Sequence, residues 1–158
     1  MSVRLKNESI VVRGYQFDLY LPQGINFVKD DDGYYEANLS TSRTTEKKMN
    51  FFDCDLQSDG ALRVLCSSTN GAVLDGTDGE VCTILVEVDP DAKNNDYMLQ
   101  VRNAVVTNPD ADRYPLNDVT SIFTVSDCDC GMKGDVNGDG RITVSDIMAI
   151  VNIILGNE

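Results

Sequence analysis

The sequence contains no histidine and no tryptophan among its 158 residues. Histidine is the commonest general base and the commonest transition-metal ligand in proteins, so its absence weighs against most enzyme mechanisms. Without tryptophan, a glycan site would have to stack sugars on tyrosine rings, and Tyr34 and Tyr35 are the candidates for this role. No apolar run approaches the roughly 20 residues that span a bilayer, so we expect no transmembrane segment.

Positive charge is also scarce in this chain. Lysine and arginine total 13 against 26 aspartate and glutamate residues, which gives a formal net charge of -13 at pH 7. Such a chain repels phosphate backbones, so nucleic acid is not an expected partner. The first nine residues, MSVRLKNES, lack the apolar region of a secretory signal peptide.

The sequence contains five cysteines, and an odd number of cysteines cannot be fully paired within one chain. A disulfide scaffold is therefore not expected. Cys54, Cys66 and Cys82 lie in alternating segments on the side of the apolar residues, and we expect them to be buried free thiols. Cys128 and Cys130 could bridge or bind a soft metal. Two thiolates without histidine make an incomplete site, so a hinge segment is the preferred interpretation.

Short segments that alternate apolar and polar residues recur along the first 125 residues, with turn residues between them. Tyr15, Phe17 and Leu19 share one face of such a segment. Asp59 and Gly60 stand between two of them and predict a β-hairpin, because glycine accepts a positive φ. The predicted strands are SVRLK, SIVVRGYQFDLYL (one or two strands), INFV, MNFFDCDLQ, ALRVLCSS, EVCTILVEV, DYMLQVRNAVVTN and VTSIFTV.

Eight or nine short strands with polar turns predict a mainly β protein, namely an antiparallel β-sandwich formed by residues 1–125. A closed β-barrel is the alternative, because strand periodicity does not separate the two architectures. Small, polar and glycine-containing residues at 126–134 predict a linker. Residues 135–158 form the second predicted unit, a calcium loop followed by one α-helix.

The segment DVNGDGRITVSD, residues 135–146, has the spacing of a calcium-binding loop. Oxygen side chains occupy loop positions 1, 3, 5 and 12, a glycine stands at position 6, and position 7 supplies a main-chain carbonyl. Three carboxylates converging on one cation favour Ca²⁺ over Mg²⁺, which prefers a tighter octahedral shell with several waters. The predicted calcium ligands are Asp135, Asn137, Asp139, Arg141 through its carbonyl, Thr143 through a bridging water, and Asp146.

The residues after this loop have helical periodicity with one apolar face. Thr143 can cap the helix, and Gly156 follows its last periodic position. A helix of about a dozen residues is marginal in isolation, so its apolar face must dock on another surface. The apolar face consists of Ile147, Ile150, Val151 and Ile154.

The segment GDVNGDGRITVSDIMAIVNIILG, residues 134–156, resembles a dockerin type I repeat. Dockerins usually carry two repeats, and this chain has one. The resemblance implies that Ca²⁺ binds the loop and that the unit docks on a cohesin, with recognition positions matching Val144, Ser145, Val151 and Asn152. Together with the apolar face of the helix, the predicted partner-binding residues are Val144, Ser145, Ile147, Ile150, Val151 and Ile154.

Residues 2–125 are similar to cohesin-like domains. The stretches that carry this similarity are VVRGYQFDLYLPQGINFV, DGEVCTILVEV and DYMLQVRNAVVTN. The resemblance implies a non-catalytic jelly-roll β-sandwich, related to carbohydrate-binding modules, that is secreted or displayed on the cell surface. The signal peptide of such a protein would have been removed from the chain.

These observations favour a non-catalytic, calcium-binding module associated with polysaccharide degradation. Its expected partner is another cohesin- or dockerin-bearing protein, and a glycan is a further candidate. An alternative function is structural: the single repeat folds back on its own sandwich and staples the C-terminus without a partner. Paired carboxylates occur in any chain this acidic, and nothing in the sequence places two of them across a catalytic cleft.

Overall fold

The structure is a computed structural model that describes residues 1–126. Residues 1–125 form one compact unit built entirely from antiparallel strands. Within residues 1–126 no helix is long and apolar enough to cross a bilayer. The strands are β1 (Ser2–Lys6), β2 (Gly14–Tyr20), β3 (Ile25–Phe27), β4 (Ala37–Leu39), β5 (Phe51–Leu56), β6 (Leu62–Ser67), β7 (Asp78–Ile84), β8 (Val86–Val88), β9 (Asn95–Thr107), β10 (Arg113–Pro115) and β11 (Val119–Val125).

The strands form a wide sheet, a narrower sheet and a small ribbon. The wide sheet has six strands in the order β10-β9-β2-β6-β5, with β11 also paired to β9. The narrower sheet has the order β1-β7-β4, and the ribbon pairs β3 with β8. In the described part of the chain the sheets are separate, and β1 and β5 are edge strands. The architecture is therefore a sandwich, as predicted, and the alternative of a closed barrel is wrong.

The core lies between the wide and narrow sheets and follows the predicted alternation. Tyr15, Phe17 and Leu19 of β2 are all buried, which confirms the predicted inner face of this strand. Val81 and Ile84 lie on β7 in the opposite sheet, are also buried, and belong to the same apolar cluster. Burial of each such side chain contributes roughly 1.5–3 kcal/mol, so the inner faces account for most of the favourable folding free energy.

The hairpin predicted at Asp59 and Gly60 is confirmed. Strands β5 and β6 are paired along their length, and Leu56 lies opposite Leu62 in the pair next to the turn. Gly60, within the turn, has a φ of 87°. The amide of Gln57 donates to the carbonyl of Ala61 at 2.8 Å, which closes the turn. Glycine is needed here because an L side chain at this φ would clash with the main chain.

Three predictions about strands and thiols differ from the structure. EVCTILVEV is not one strand, because the chain leaves the narrow sheet at Leu85 and continues as β8 beside β3. The segment around Tyr114, which belongs to none of the predicted strands, pairs with β9 as the short strand β10. Cys66 and Cys82 are fully buried free thiols as predicted, whereas Cys54 is only half-buried because β5 is an edge strand.

Residues 127–158 lie outside the described residues. The predicted linker, calcium loop and terminal helix therefore stay predictions, as do the interpretations of Cys128 and Cys130.

Arg43 joins three segments of the sandwich through its buried side chain, which is only 3% exposed. Its guanidinium donates to the carbonyls of Asp75 at 2.8 Å, Leu5 at 2.9 Å and Gly76 at 2.7 Å. A fourth hydrogen bond of 2.7 Å reaches Oδ1 of Asn7. One side chain thus satisfies acceptors on the end of β1 and on the segment that leads into β7.

We expect Arg43→Met to lower the free energy of unfolding by about 3 kcal/mol, because one buried and three partly buried acceptors lose their donor at once. Urea denaturation measures this change. Arg4→Met is the matched control, since Arg4 is exposed and pairs with Asp78 only at 3.4 Å. Its expected cost is below about 1 kcal/mol. Equal losses in the two variants would contradict the role assigned to Arg43.

Candidate binding face

The wide sheet has a second face, opposite the core, which we call the outer face. Phe51 on β5, Arg102 on β9 and Ile122 on β11 belong to it and are all exposed, so solvent reaches it from one edge to the other. The registers of neighbouring strands define its members as Gln16, Asp18, Tyr20, Phe51, Asp53, Asp55, Arg63, Leu65, Ser67, Met98, Gln100, Arg102, Val105, Thr120 and Ile122.

Asp18 lies at the centre of the outer face and is only 1% exposed. Arg63 on the neighbouring strand holds it in a bidentate ion pair, with Nε to Oδ1 and Nη2 to Oδ2 both at 2.7 Å. Nδ2 of Asn103 donates to Oδ2 at 2.9 Å. The hydrogen bonds from Arg63 hold the pKa of Asp18 below its ordinary value, with a further contribution from Asn103. The carboxylate is therefore ionised and held in one orientation.

A β-bulge places Asn103 beside this carboxylate. The register between β2 and β9 shifts between Gln16, which pairs with Val105, and Asp18, which pairs with Arg102. Asn103 has a φ of 52°, a left-handed conformation that asparagine tolerates better than most residues. Bulges re-aim side chains within a sheet, and this one turns an amide toward Asp18.

Tyr20 and Arg102 form the next layer of the outer face. The tyrosine hydroxyl donates to Oδ2 of Asp59 at 2.7 Å, and this hydrogen bond raises the pKa of Tyr20 and lowers that of Asp59. The guanidinium of Arg102 lies 5.1 Å from the centroid of the Tyr20 ring, within cation–π range. Its Nη2 donates to Oε1 of Gln100 at 2.6 Å. Tyrosine and arginine held in this way are typical anchors of protein interfaces.

Apolar side chains flank the charged centre of the outer face. Met98 and Ile122 lie directly opposite each other on β9 and β11 and are 57% and 62% exposed. Phe51 is 42% exposed on the far edge strand. A polar centre bordered by exposed apolar groups suits contact with a protein surface better than capture of a small molecule.

The two fully buried thiols are not suited to nucleophilic chemistry. Burial raises the pKa of the Cys66 thiol to about 11 and that of Cys82 to about 12, so neither is a nucleophile at neutral pH. Within residues 1–126 no cluster of three or more cysteine, aspartate or glutamate side chains is placed to hold a metal ion. The chemistry available on the outer face is recognition through charge, hydrogen bonds and apolar contact.

The tyrosines considered for glycan stacking do not form a paired platform. Tyr34 is 73% exposed in a turn closed by Asp30, whose Oδ1 accepts from the amide of Tyr34 at 2.8 Å. Tyr35 is half-buried, packs edge-on against Phe27 at 6.1 Å between ring centroids, and lies under the ammonium of Lys29. Only one of the two rings is free for a ligand.

The residues predicted from the sequence to bind calcium or a partner all lie outside the described residues. They are Asp135, Asn137, Asp139, Arg141, Thr143, Val144, Ser145, Asp146, Ile147, Ile150, Val151 and Ile154. The outer-face cluster of Asp18, Arg63 and Asn103 was not predicted as a site. Alternation does assign Asp18 to the polar side of β2, but pairing with Arg63 and Asn103, 45 and 85 residues away, depends on the sheet order.

Comparison with known proteins gives a clear result at the level of structure alone. No family model matches the chain, and no curated protein matches its sequence. A cohesin module of a family 33 glycoside hydrolase from Clostridium perfringens matches with a TM-score of 0.56 at 13% identity, covering 75% of this chain and 76% of that one. A non-cellulosomal cohesin from the archaeon Archaeoglobus fulgidus matches with a TM-score of 0.54 at 15% identity, covering 79% and 78%.

A third similar structure belongs to a complex. A chain of Coh-OlpA–Doc918, a novel type I cohesin–dockerin complex from Clostridium thermocellum, matches with a TM-score of 0.54 at 14% identity. The match covers 76% of this chain and 87% of that chain. These similarities show that the β-sandwich has a cohesin-like fold, as the sequence resemblance implied.

We expect Asp18→Asn to lower the free energy of unfolding by about 2 kcal/mol at neutral pH, because the charge-assisted bonds to Arg63 are weakened. The pKa of Asp18 is depressed in the folded state, so the stabilisation is present above the unfolded pKa of about 4 and is lost as the pH falls through the folded pKa. Urea denaturation at about pH 7 and pH 3 should show the difference from wild type shrinking at the acidic pH.

The control for this prediction is Asp53→Asn, an exposed outer-face carboxylate on β5. It should change stability by less than about 0.5 kcal/mol at either pH. A deficit in Asp18→Asn that stayed constant with pH would show that the ionised carboxylate is not the source of the stabilisation.

Proposed function

We propose that this protein is a non-catalytic binding module of the cohesin type, whose outer face receives a calcium-loaded dockerin-type unit on another protein. The observation that carries the proposal is the cohesin-like sandwich with one whole sheet face open to solvent. Among the similar structures are type I cohesin–dockerin complexes. On this proposal the protein acts outside the cell or at its surface, in assemblies that degrade polysaccharides.

The chemistry of the outer face suits such a partner. A dockerin-type unit presents an acidic loop and a helix with apolar side chains, and the outer face offers the cation of Arg102 beside the exposed apolar pair Met98 and Ile122. Asp18 neutralises Arg63 through its bidentate pair, so within residues 1–126 Arg102 is the cation at the centre of the face that no carboxylate contacts directly. Interface affinity concentrates in such central arginine and tyrosine side chains.

The chain's own terminal segment is proposed to bind Ca²⁺. The ligands would be Asp135, Asn137, Asp139 and Asp146, the carbonyl of Arg141, and a water held by Thr143. Neutralising three carboxylates with Ca²⁺ lets the loop close and the helix present Val144, Ser145 and its apolar face to a cohesin on a second protein. The protein would then carry both halves of a docking pair. The alternative is that the single repeat folds back on its own sandwich and holds the C-terminus in place without a partner, which we call stapling.

Calorimetric titration of the full chain with Ca²⁺ should give a saturable heat with one site. The double variant Asp135→Ala, Asp139→Ala should give no heat above dilution, because two of the three carboxylates are lost. The control is Asp110→Ala with Asp112→Ala, which removes two exposed carboxylates in the turn between β9 and β10. Equal heats in the wild type and in the double variant would show that Asp135 and Asp139 do not bind Ca²⁺, and would contradict the proposed metal site.

Docking should depend on Arg102. We expect Arg102→Glu to weaken binding of calcium-loaded dockerin domains from the same organism by tenfold or more, since it reverses the free charge of the outer face. The measurement is calorimetric titration of each domain into the full chain. Arg4→Glu is the control, because Arg4 is also exposed but lies on the narrow sheet. It should leave the affinity unchanged.

Two outcomes would contradict the proposal. If no dockerin domain binds in millimolar calcium, the outer face is not a dockerin site. Light scattering of the full chain with and without Ca²⁺ decides between docking and stapling. Calcium-dependent dimers support docking through the chain's own repeat, whereas a monomer under both conditions supports the staple.

A further inference from the structure

Arg102 lies directly opposite Asp18 in the outer face but does not pair with it. The two residues are register partners on β9 and β2, and side chains in this relation have Cβ atoms about 5 Å apart. Opposite charges in such a cross-strand pair attract each other. Within residues 1–126, however, the guanidinium of Arg102 donates only to Gln100 and lies against the Tyr20 ring. A cross-strand ion pair that the register favours is therefore not formed.

Asn103 takes the place on Asp18 that Arg102 would otherwise take. Oδ1 of Asp18 accepts from Nε of Arg63, and Oδ2 accepts from Nη2 of Arg63 at 2.7 Å and from Nδ2 of Asn103 at 2.9 Å. Arg63 approaches from β6 and Asn103 from β9, the two strands that flank β2. Because Asp18 is only 1% exposed, the amide of Asn103 satisfies the carboxylate on the side where Arg102 lies.

The β-bulge in β9 brings Asn103 to this position. Gln16 and Asp18 are two positions apart on β2, whereas their partners on β9 are three positions apart. The extra residue is the exposed Asn103, because Ala104 keeps a buried position on the inner face. Without the extra residue the spacing on the two strands would be equal, and every other side chain would keep its present face. The bulge is therefore not needed to point Arg102 outward, and its distinct contribution is the amide of Asn103.

We propose that Asn103 is a positioning residue of the outer face, which satisfies Asp18 and thereby leaves Arg102 free to bind an acidic side chain of the docking partner. This inference rests on the proposed function, in which an acidic loop meets Arg102. An arginine already paired with a carboxylate would have to exchange one such partner for another and would gain little on binding. Arg102 instead lies against a ring and a neutral amide, which leave its charge unneutralised.

Asn103→Gly tests this role, because glycine accepts the left-handed φ of 52° and removes the amide. We expect the guanidinium of Arg102 to move from the Tyr20 ring to Asp18. In NMR spectra of the full chain, nuclear Overhauser contacts between Arg102 side-chain protons and the Tyr20 ring should be present in the wild type and lost in the variant. Contacts that persist in Asn103→Gly would overturn the proposal, whether or not a dockerin domain binds.

Binding provides the second measurement. Asn103→Gly should weaken binding of a calcium-loaded dockerin domain from the same organism about fivefold, because the charge of Arg102 is then neutralised within the chain. Calorimetric titration into the full chain measures this change. In the Arg102→Ala background the same substitution should have no further effect, because Asn103 acts through Arg102. An equal loss in both backgrounds would show a general distortion of the outer face and would overturn the proposal.

Asn108→Gly is the matched control. Asn108 follows the end of β9, and its Nδ2 donates to Oδ2 of Asp112 at 3.0 Å, so this variant also removes an asparagine–carboxylate hydrogen bond. It should leave the contacts between Arg102 and Tyr20 unchanged. Deletion of Asn103 is a second test variant, because it removes the amide and makes β9 regular, and the same loss of contacts is expected. A loss in the control as large as that in the test variants would contradict the assignment.

Failure of this proposal and failure of the proposed function give different results. If a dockerin domain binds the wild type and Asn103→Gly equally well, the proposed function stands and the role assigned to Asn103 is wrong. If no dockerin domain binds the wild type in millimolar calcium, the proposed function is wrong. The NMR contacts between Arg102 and Tyr20 then decide whether Asn103 positions Arg102.

Discussion

Burial of the inner faces of the two sheets is the constraint on which the rest of the structure depends. The inner faces of the wide and narrow sheets must cover each other, because burial of apolar surface supplies the main favourable free energy of folding. Tyr15, Phe17 and Leu19 point into this core from β2, so the alternate residues of the same strand point outward. The side of the wide sheet opposite the core is the outer face, and it is therefore available for a partner.

Polar order on the outer face depends on a buried carboxylate rather than on the core. Desolvation of Asp18 disfavours its charge, and the bidentate pair with Arg63 and the bond from Asn103 more than offset this cost. The cluster spans three adjacent strands, so it fixes their register and the bulge in β9. This pairing neutralises Arg63. Arg102, by contrast, lies against the Tyr20 ring and donates to the side-chain amide oxygen of Gln100. A structural ion pair thereby decides which cation is available for recognition.

The outer face is suited to a folded partner, because it is broad and carries fixed polar groups between exposed apolar ones. Similarity in fold to cohesins concerns the sandwich as a whole and does not by itself assign a role to this face. The proposed role depends instead on the side chains that the outer face presents.

Local pattern was enough to determine most of the strands, the inner face of β2 and the turn at Gly60, because alternation and turn chemistry act over a few residues. The calcium-loop spacing of residues 135–146 is likewise a local pattern and predicts a metal site without any fold. Asp18 was assigned correctly to the polar side of β2, but its burial could not be foreseen from its neighbours. The break at Leu85 was missed because both halves of EVCTILVEV alternate in the same way. Only the tertiary structure decided which strands are neighbours, and hence that Asp18 meets Arg63 and Asn103, because sheet order depends on contacts between residues far apart in the chain.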